Sequence, residues 1–535
     1  MRIKKIGVIF CLFFQAVFMF NYFNVPLAKA DSETLKVGME LAYAPYNFMQ
    51  ATPNQRTVEV NGGYANGYDV QIAKKIAEGM GKNLEIVATQ WDGLLPGLTS
   101  KKIDIICAGM SPTNERRRTI YFSDYYYTSE ITVVVKKDSK YANAQSLSDL
   151  VGAKITGQLG TLVYNYVDQI PDVNKQPAMD DFPTMITGVQ SGKIDGYIGE
   201  YPAAASAAVA NPDLKVLEFS KDKGFNVSKD QSSIAVGIKK GNNDLLNQVN
   251  EILSNIPQDE RDTMMDQAIK DSQNSASGLE NSSQEKSFWE NVTNIIQHYG
   301  GMFLRGLWVT LLISLTGTIF GLIIGLIVAC IRYIPYQTDS QGKKRKNISN
   351  LIRVIINAIL KIYIEVFRGT PMIVQATIIY FGADEALGID MNPLFAAIMI
   401  ISINTGAYLS EIVRGGIESI NKGQTEGAVS LGLSRFQTMT KIILPQAIRN
   451  IMPAIGNEFV INIKDSAVLN VISVTELFFV TKTIKGATYQ TYIPYLITAA
   501  IYLVITLSVT QILKYIEKRM DRSKAIIAKE ITLEE

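Results

Sequence analysis

A two-lobed α/β unit followed by an all-α membrane unit of five spanning helices is the fold class the sequence predicts, and three observations predict it. Short β-rich runs alternate with helical ones through residues 32–275, long apolar runs recur from residue 303 onward, and a small, polar stretch at 271–287 separates the two regimes. The chain has 535 residues. One hydrophobic core rarely grows past roughly 250–300 residues, so at least two units are required. A mean hydropathy of +0.10 alongside 19% charged residues fits a soluble piece joined to a membrane piece. The formal net charge is +2, and no acidic or basic block is long enough for a nucleic-acid surface.

Taken in order, the N-terminus carries Arg2, Lys4 and Lys5, an apolar run over 6–20, and then Ala28-Lys29-Ala30. That layout predicts a secretory signal over residues 1–30; an uncleaved anchor is the competing reading, and both leave Asp31 onward outside the cell. Cys11, Cys107 and Cys330 fall in three different regions, so no disulfide or metal framework is expected. His298, the one histidine, cannot hold a metal alone, and no cofactor is expected.

The exported part is expected to occupy residues 31–275. Strands are predicted at 35–38, 83–88, 103–108, 131–135, 154–156 and 194–198, and helices at 69–80, 93–100 and from Gly160-Thr161 onward. Strand and helix in alternation imply βαβ units and parallel sheets. Two series of them imply two lobes, the first over about 31–128 and 230–275, the second over about 129–229. Open α/β sheets bind ligands beyond the carboxyl ends of their strands, so two facing lobes make a cleft. The segment from Ile103 to Arg116 ends a strand at small residues, offers the Ser111 hydroxyl, and opens a helical turn at Arg116. Free N–H groups and a planar guanidinium suit a carboxylate. A surface arginine in the run Arg116-Arg117-Arg118 is the bland alternative.

Glu40-Leu41-Ala42-Tyr43-Ala44-Pro45-Tyr46-Asn47-Phe48, Gly67-Tyr68-Asp69-Val70, Trp91-Asp92-Gly93-Leu94-Leu95-Pro96 and the segment ending in Arg116 occur in that order. Together they resemble the polar amino-acid binding proteins of bacterial importers. The resemblance implies a periplasmic-binding-protein-like clamp of type II. It implies that Arg116 grips the ligand α-carboxylate, helped by Gly109 and Ser111 and by Gly160 and Thr161 of the second lobe. Tyr43 and Trp91 would sandwich the ligand side chain, where the alternative is two core aromatics. Glu200 would bind the α-ammonium, at a position where most relatives carry Asp, and Glu40 is implied as an acid under the ligand. Asp69 reads better as a helix N-cap than as a ligand. A zwitterion enclosed between lobes needs both charges paired, because an unpaired buried charge is costly.

A flexible tether is expected at 276–290 and the membrane unit at 291–535, with spans at 303–331, 361–381, 394–413, 451–473 and 492–513. With the α/β unit outside, the loop carrying Arg332, Lys343, Lys344, Arg345 and Lys346 falls inside, as do the loop over 414–450 and the basic tail. The outer loop 382–393 has no Lys or Arg. The positive-inside rule is satisfied except at Lys482 and Lys485, in the second outer loop.

Glu426-Gly427-Ala428, Gly432 and Ile443-Leu444-Pro445, with Phe367-Arg368-Gly369-Thr370-Pro371 and Lys464-Asp465-Ser466, resemble the permeases of ATP-binding-cassette importers. Gly427 departs from that family's Ala. The resemblance implies that Glu426, Gly432, Leu444 and Pro445 belong to a loop docking on an ATPase. Glu458 is the candidate for a substrate contact within the membrane. No phosphate-binding Gly-x-x-x-x-Gly-Lys-Ser/Thr run occurs, so the chain is expected not to be an enzyme and to take its energy from a separate ATPase subunit. A permease in the bilayer lacking its other half most simply forms a homodimer. The expected function is import of a polar amino acid across the bacterial plasma membrane, with a ligand-sensing receptor or ligand-gated channel as the alternative; a channel pore loop is absent. Glutamine, glutamate or asparagine compete with arginine, lysine or histidine as ligand.

Overall fold

Strand Thr34–Met39 lies inside a five-stranded sheet, parallel to Asn83–Ala88 on one side and Ile105–Ile106 on the other. Leu35, Val37 and Met39 line one face and are fully buried, while on the other face Gly38 is buried and Thr34 and Lys36 are half-buried. The computed structural model describes residues 34–60, 62–220, 222–277, 287–334 and 347–531. The expected secretory signal, most of the expected tether and the cluster Lys343–Arg345 with Lys346 lie outside these residues.

The first lobe's sheet has the order Asn83–Ala88, Thr34–Met39, Ile105–Ile106, Ser233–Lys239, Ile120–Thr128, the last two pairings antiparallel. The strand expected at 103–108 is thus cut to two residues, because the chain turns at Gly109 with φ +61°. Helix Tyr68–Gly79 buries Ile72, Ala73 and Ile76 at helical spacing against this sheet. The second lobe's sheet has the order Asn174–Lys175, Lys154–Thr156, Gly196–Glu200, Ile131–Lys136, Leu214–Leu217. Its strand expected at 194–198 sits two residues later, which puts Glu200 at the carboxyl end. The chain crosses between lobes after Thr128 and returns before Ser233. Ser129 N–H donates to the Ser232 carbonyl at 2.8 Å and the hydroxyls of Thr128 and Ser233 meet at 2.8 Å, so the two crossings form one paired hinge.

Helix Gln258–Ser277 continues through residues 271–277, which sequence composition assigned to the flexible stretch. Asp271 explains it: its carboxylate takes Arg56 at 2.6 Å and Asn66 at 3.0 Å, pinning the helix to the first lobe. The next helix starts at Phe288, also inside the expected tether.

That helix, Phe288–Tyr333, has 46 residues. At 1.5 Å per residue it is about 69 Å long, twice a hydrocarbon core of about 30 Å. Its early residues Ile295, Tyr299, Met302 and Phe303 are buried in the same apolar cluster as the first lobe. Further along it packs on helix Pro393–Glu418 through glycines four residues apart. A Cβ on Gly317 would lie 2.3 Å from Ile401, on Gly321 2.8 Å from Thr405, and on Gly325 2.9 Å from the Ser410 nitrogen. This is the small-residue contact by which helices approach closely in lipid.

Among the described residues, three helices are long and apolar enough to cross a membrane: Phe288–Tyr333, Pro393–Glu418 and Tyr492–Arg519. Helices Arg435–Ile472 and Leu477–Thr488 reach that apolar length only when taken together, and they are bent by 57° at the break between them. The second expected span, 361–381, is broken into helices Ile348–Gly369 and Met372–Leu387. Pro371 causes the break, since it donates no N–H and drives Thr370 out of helical geometry (φ −120°, ψ 147°). Helix Leu477–Thr488 turns back against the α/β unit, with Leu477, Phe479, Val480 and Ile484 in the first lobe's apolar cluster. Lys482 and Lys485, the exceptions to the charge rule, lie on this helix. From the first lobe, Lys102 reaches the outer loop of the membrane unit, pairing with Asp390 at 2.5 Å and Asp384 at 3.7 Å.

Candidate functional site

The cleft between the lobes is lined from the first by Glu40, Tyr43, Trp91, Gly109, Ser111 and Arg116, and from the second by Gln158, Thr161, Tyr166, Phe182 and Glu200. Each sits where an element ends. Glu40 follows strand Thr34–Met39, Trp91 opens helix Trp91–Thr99, and Gly109 and Ser111 follow Ile105–Ile106. Arg116 belongs to the helix capped by Thr113, whose hydroxyl accepts the Arg116 N–H at 3.1 Å. Across the cleft, Thr161 precedes helix Leu162–Asn165 and Glu200 closes its strand and precedes helix Tyr201–Ala210.

The guanidinium of Arg116 donates to the Ser111 carbonyl at 2.9 Å and, across the lobes, to the Gly160 carbonyl at 3.4 Å. It also lies 5.2 Å from the Trp91 ring centroid, a cation–π contact that fixes its plane. Burial draws its pKa down from the usual arginine range, opposed by Glu115 and Glu200. The next two arginines do other work: Arg117 lies over Phe122 and near Asp230, and Arg118 is exposed. Gly160 stands at the outer lip beside Trp91 and Asp92.

Tyr43 donates its hydroxyl hydrogen to Glu200 from the opposite lobe. Burial raises the Glu200 pKa, and the Tyr43 hydrogen bond and the Arg116 charge work against it. The Tyr43 ring lies between Tyr46, at 5.0 Å and 26°, and Phe182, at 4.9 Å and 22°. Phe182 thus joins Tyr43 and Trp91 among the aromatics of the cleft. Sequence reasoning missed it, although Asp181-Phe182-Pro183 carries a helix-start signature: Asp181 accepts the Thr184 N–H at 3.0 Å and Pro183 occupies the first turn. Glu40 keeps partial exposure to the cleft, yet its surroundings push it up to about 7, burial first, then Asp181, against the lowering charges of Lys482 and Lys485.

Asp69 is not the helix cap it was expected to be. Gly67 holds the cap position, with φ +125° that favours glycine, and Asp69 lies fully buried in the first turn. Its carboxylate accepts Asn47 at 2.7 Å and Tyr126 at 2.8 Å, and the Gly109 N–H as well. Asp69 thus ties down the loop that carries Gly109 and Ser111.

Far from the cleft, Glu426 lies exposed on helix Lys422–Ser430. Gly432 follows with φ +77°, its N–H bonded to the Val429 carbonyl at 2.9 Å, a left-handed helix stop. Leu431 and Phe436 on the same protrusion are 85% and 77% exposed, and Leu444 and Pro445 begin the next long helix. Among the described residues, no cluster of metal-ligating side chains occurs.

A solute clamp joined to a membrane unit is the class this geometry defines, and comparison with known proteins says which. Residues 35–270 match the bacterial extracellular solute-binding proteins, family 3, and residues 348–522 match the binding-protein-dependent transport system inner membrane component. The putative glutamine transport system permease protein GlnP of Rickettsia felis is 35% identical over 217 residues, 41% of this chain and 92% of that protein. The arginine transport system permease protein ArtQ of Bacillus subtilis is 36% identical over 217 residues, 41% of this chain and 91% of that protein. A solved amino-acid ABC transporter substrate-binding protein of Streptococcus pneumoniae, AbpA, bound to L-arginine, is 27% identical, spans 44% of this chain and 94% of its own, and has a TM-score of 0.38. The chain belongs to the family of amino-acid ABC importers, with solute-binding protein and inner-membrane permease fused on one polypeptide.

Proposed function

We propose that the cleft captures a polar amino acid as a zwitterion, Arg116 holding its α-carboxylate and Glu200 its α-ammonium, and that the permease half then passes it inward. Gly109, Ser111, Gly160 and Thr161 complete the carboxylate side, Tyr43, Phe182 and Trp91 form the walls, and Glu40 lies beneath. The observation that carries the proposal is the placement of one guanidinium and one carboxylate on opposite lobes of a single cleft. Opposite charges brought from two lobes make ligand binding favour closure. Glutamine and arginine, after which the Rickettsia and Bacillus permeases are named, are the first candidates.

In this proposal the binding domain spans 31–275, the permease 291–535, and the loop 414–450 docks on a separate ATPase through Glu426, Gly432, Leu444 and Pro445. The exposed apolar side chains of Leu431 and Phe436 support a protein partner there. Two copies of the chain enclose the pathway. The test is a thermal-shift screen of the purified full chain against the twenty amino acids. One amino acid will stabilise it, and Arg116→Ala will weaken that binding by roughly 100-fold, the loss of a charge-assisted pair. A variant that binds normally ends the carboxylate assignment. Reconstituted with its ATPase, the chain will accumulate the same amino acid only with ATP on the cytoplasmic face.

A further inference from the structure

Two lysines that ligand capture leaves unused lie on permease helix Leu477–Thr488, Lys485 buried and Lys482 half-buried. Lys482 and Lys485 are three residues apart on it, about 4.5 Å along its axis. Lys482 Nζ donates to Gln90 Oε1 at 2.9 Å. Lys485 Nζ pairs with Asp181 Oδ2 at 2.5 Å and donates to Thr184 Oγ1 at 3.2 Å. The second contact is enclosed, with side-chain exposures of 5% for Lys485 and 14% for Asp181.

What the two lysines hold is specific. Gln90 is the cap residue of helix Trp91–Thr99 in the first lobe, and Asp181 is the cap residue of helix Phe182–Gln190 in the second. The residue after each cap, Trp91 or Phe182, lines the cleft from its own side. Behind the lysines the helix is wedged against the first lobe, where a Cβ on Gly486 would lie 2.6 Å from the Ala42 backbone, next to Tyr43.

We propose that helix Leu477–Thr488 is a two-pronged clasp, Lys482 holding the first lobe and Lys485 the second, so that the permease itself takes part in closing the cleft. Both prongs project from one rigid helix and their anchors are on different lobes, so both contacts are made in one relative placement of the lobes. Opening the cleft separates Gln90 from Asp181 and strands a lysine in a site with little water, which is costly for an unpaired charge. By linkage, the clasp strengthens ligand binding by the factor by which ligand strengthens the clasp. Neither lysine lines the cleft; both are positioning residues. The clasp explains why two lysines occupy an outer segment against the positive-inside rule.

The inference rests on the cleft being the amino-acid site, so binding of each of the twenty amino acids is measured on every sample. The full chain in nanodiscs, with Cys11, Cys107 and Cys330 replaced by Ala, carries either Gln90→Cys with Lys482→Cys or Thr184→Cys with Lys485→Cys. Cross-linking of both pairs by a bis-maleimide with a reach of about 8–10 Å will run about fivefold faster with the bound amino acid than without it. Separately, Lys485→Gln will weaken ligand affinity roughly tenfold, and Lys485→Arg will restore the affinity. Cross-linking indifferent to ligand with binding intact, or unchanged affinity in Lys485→Gln, overturns the clasp alone. Binding of none of the twenty amino acids overturns the reading of the cleft and the clasp with it.

Discussion

Glu40 is the residue at which capture becomes sensitive to pH. Its folded pKa of about 7 lies above its ordinary value of 4.5, with burial the largest cause. Between those values the folded chain keeps a proton that the unfolded chain has released. Stability therefore rises as pH falls from about 7 toward 4.5, and is lost as pH rises through that window. The shift corresponds to an upper bound of about 3 kcal/mol. Melting curves of the full chain at pH 5 and pH 8 will differ more for the natural sequence than for Glu40→Gln; parallel profiles would remove Glu40 as the cause. For a cationic ligand the sign reverses: a cationic side chain above Glu40 gains from its ionisation, so affinity for arginine will rise from pH 6 to pH 8 and affinity for glutamine will change less.

At the scale of elements, the glycines Gly317, Gly321 and Gly325 set the distance between helices Phe288–Tyr333 and Pro393–Glu418. Gly325→Val would place methyl groups against the Leu409 side chain and the Ser410 backbone. Overpacking of this kind costs about 1–3 kcal/mol. The variant will show a lower melting temperature in detergent and reduced uptake with amino-acid affinity unchanged; a normal melting curve would show that the helices part without strain. Elements defined by local pattern were legible in the sequence. Strands Asn83–Ala88 and Lys154–Thr156 fall where their apolar runs and flanking Gly, Lys and Asn place them. The break at Pro371 was also written locally, but an apolar window reads straight through one proline. Elements placed by distant partners were not legible. Nothing near Asp271 announces that Arg56, 215 residues earlier, will hold the helix in order, and nothing near Phe182 announces Tyr43. The site divides the same way. Arg116 lies in the first turn of a helix that follows the small residues Ala108, Gly109 and Ser111, and Glu200 closes its strand after Gly199, whereas Phe182 reaches the cleft only through tertiary packing.

For the molecule as a whole, the boundary between binding domain and permease is a shared interior. Leu477, Phe479, Val480 and Ile484 of the permease lie in one apolar cluster with Leu41, Phe48 and Met49 of the first lobe. Lys102 with Asp390 and Tyr489 with Ser206 add polar contacts at 2.5 and 3.0 Å. Apolar continuity of this extent is the mark of a lasting interface rather than a passing encounter. Cleavage at a protease site inserted within residues 278–286 will therefore leave the two halves co-eluting in detergent, and their separation would show that the covalent connection alone holds them.

The 46-residue helix Phe288–Tyr333 gives this seating a kinetic consequence. A rod anchored in lipid at one end and in the first lobe at the other keeps each receptor beside its own membrane unit. Flux will follow the number of complete chains in the membrane, and supplying extra receptor by itself will add no traffic.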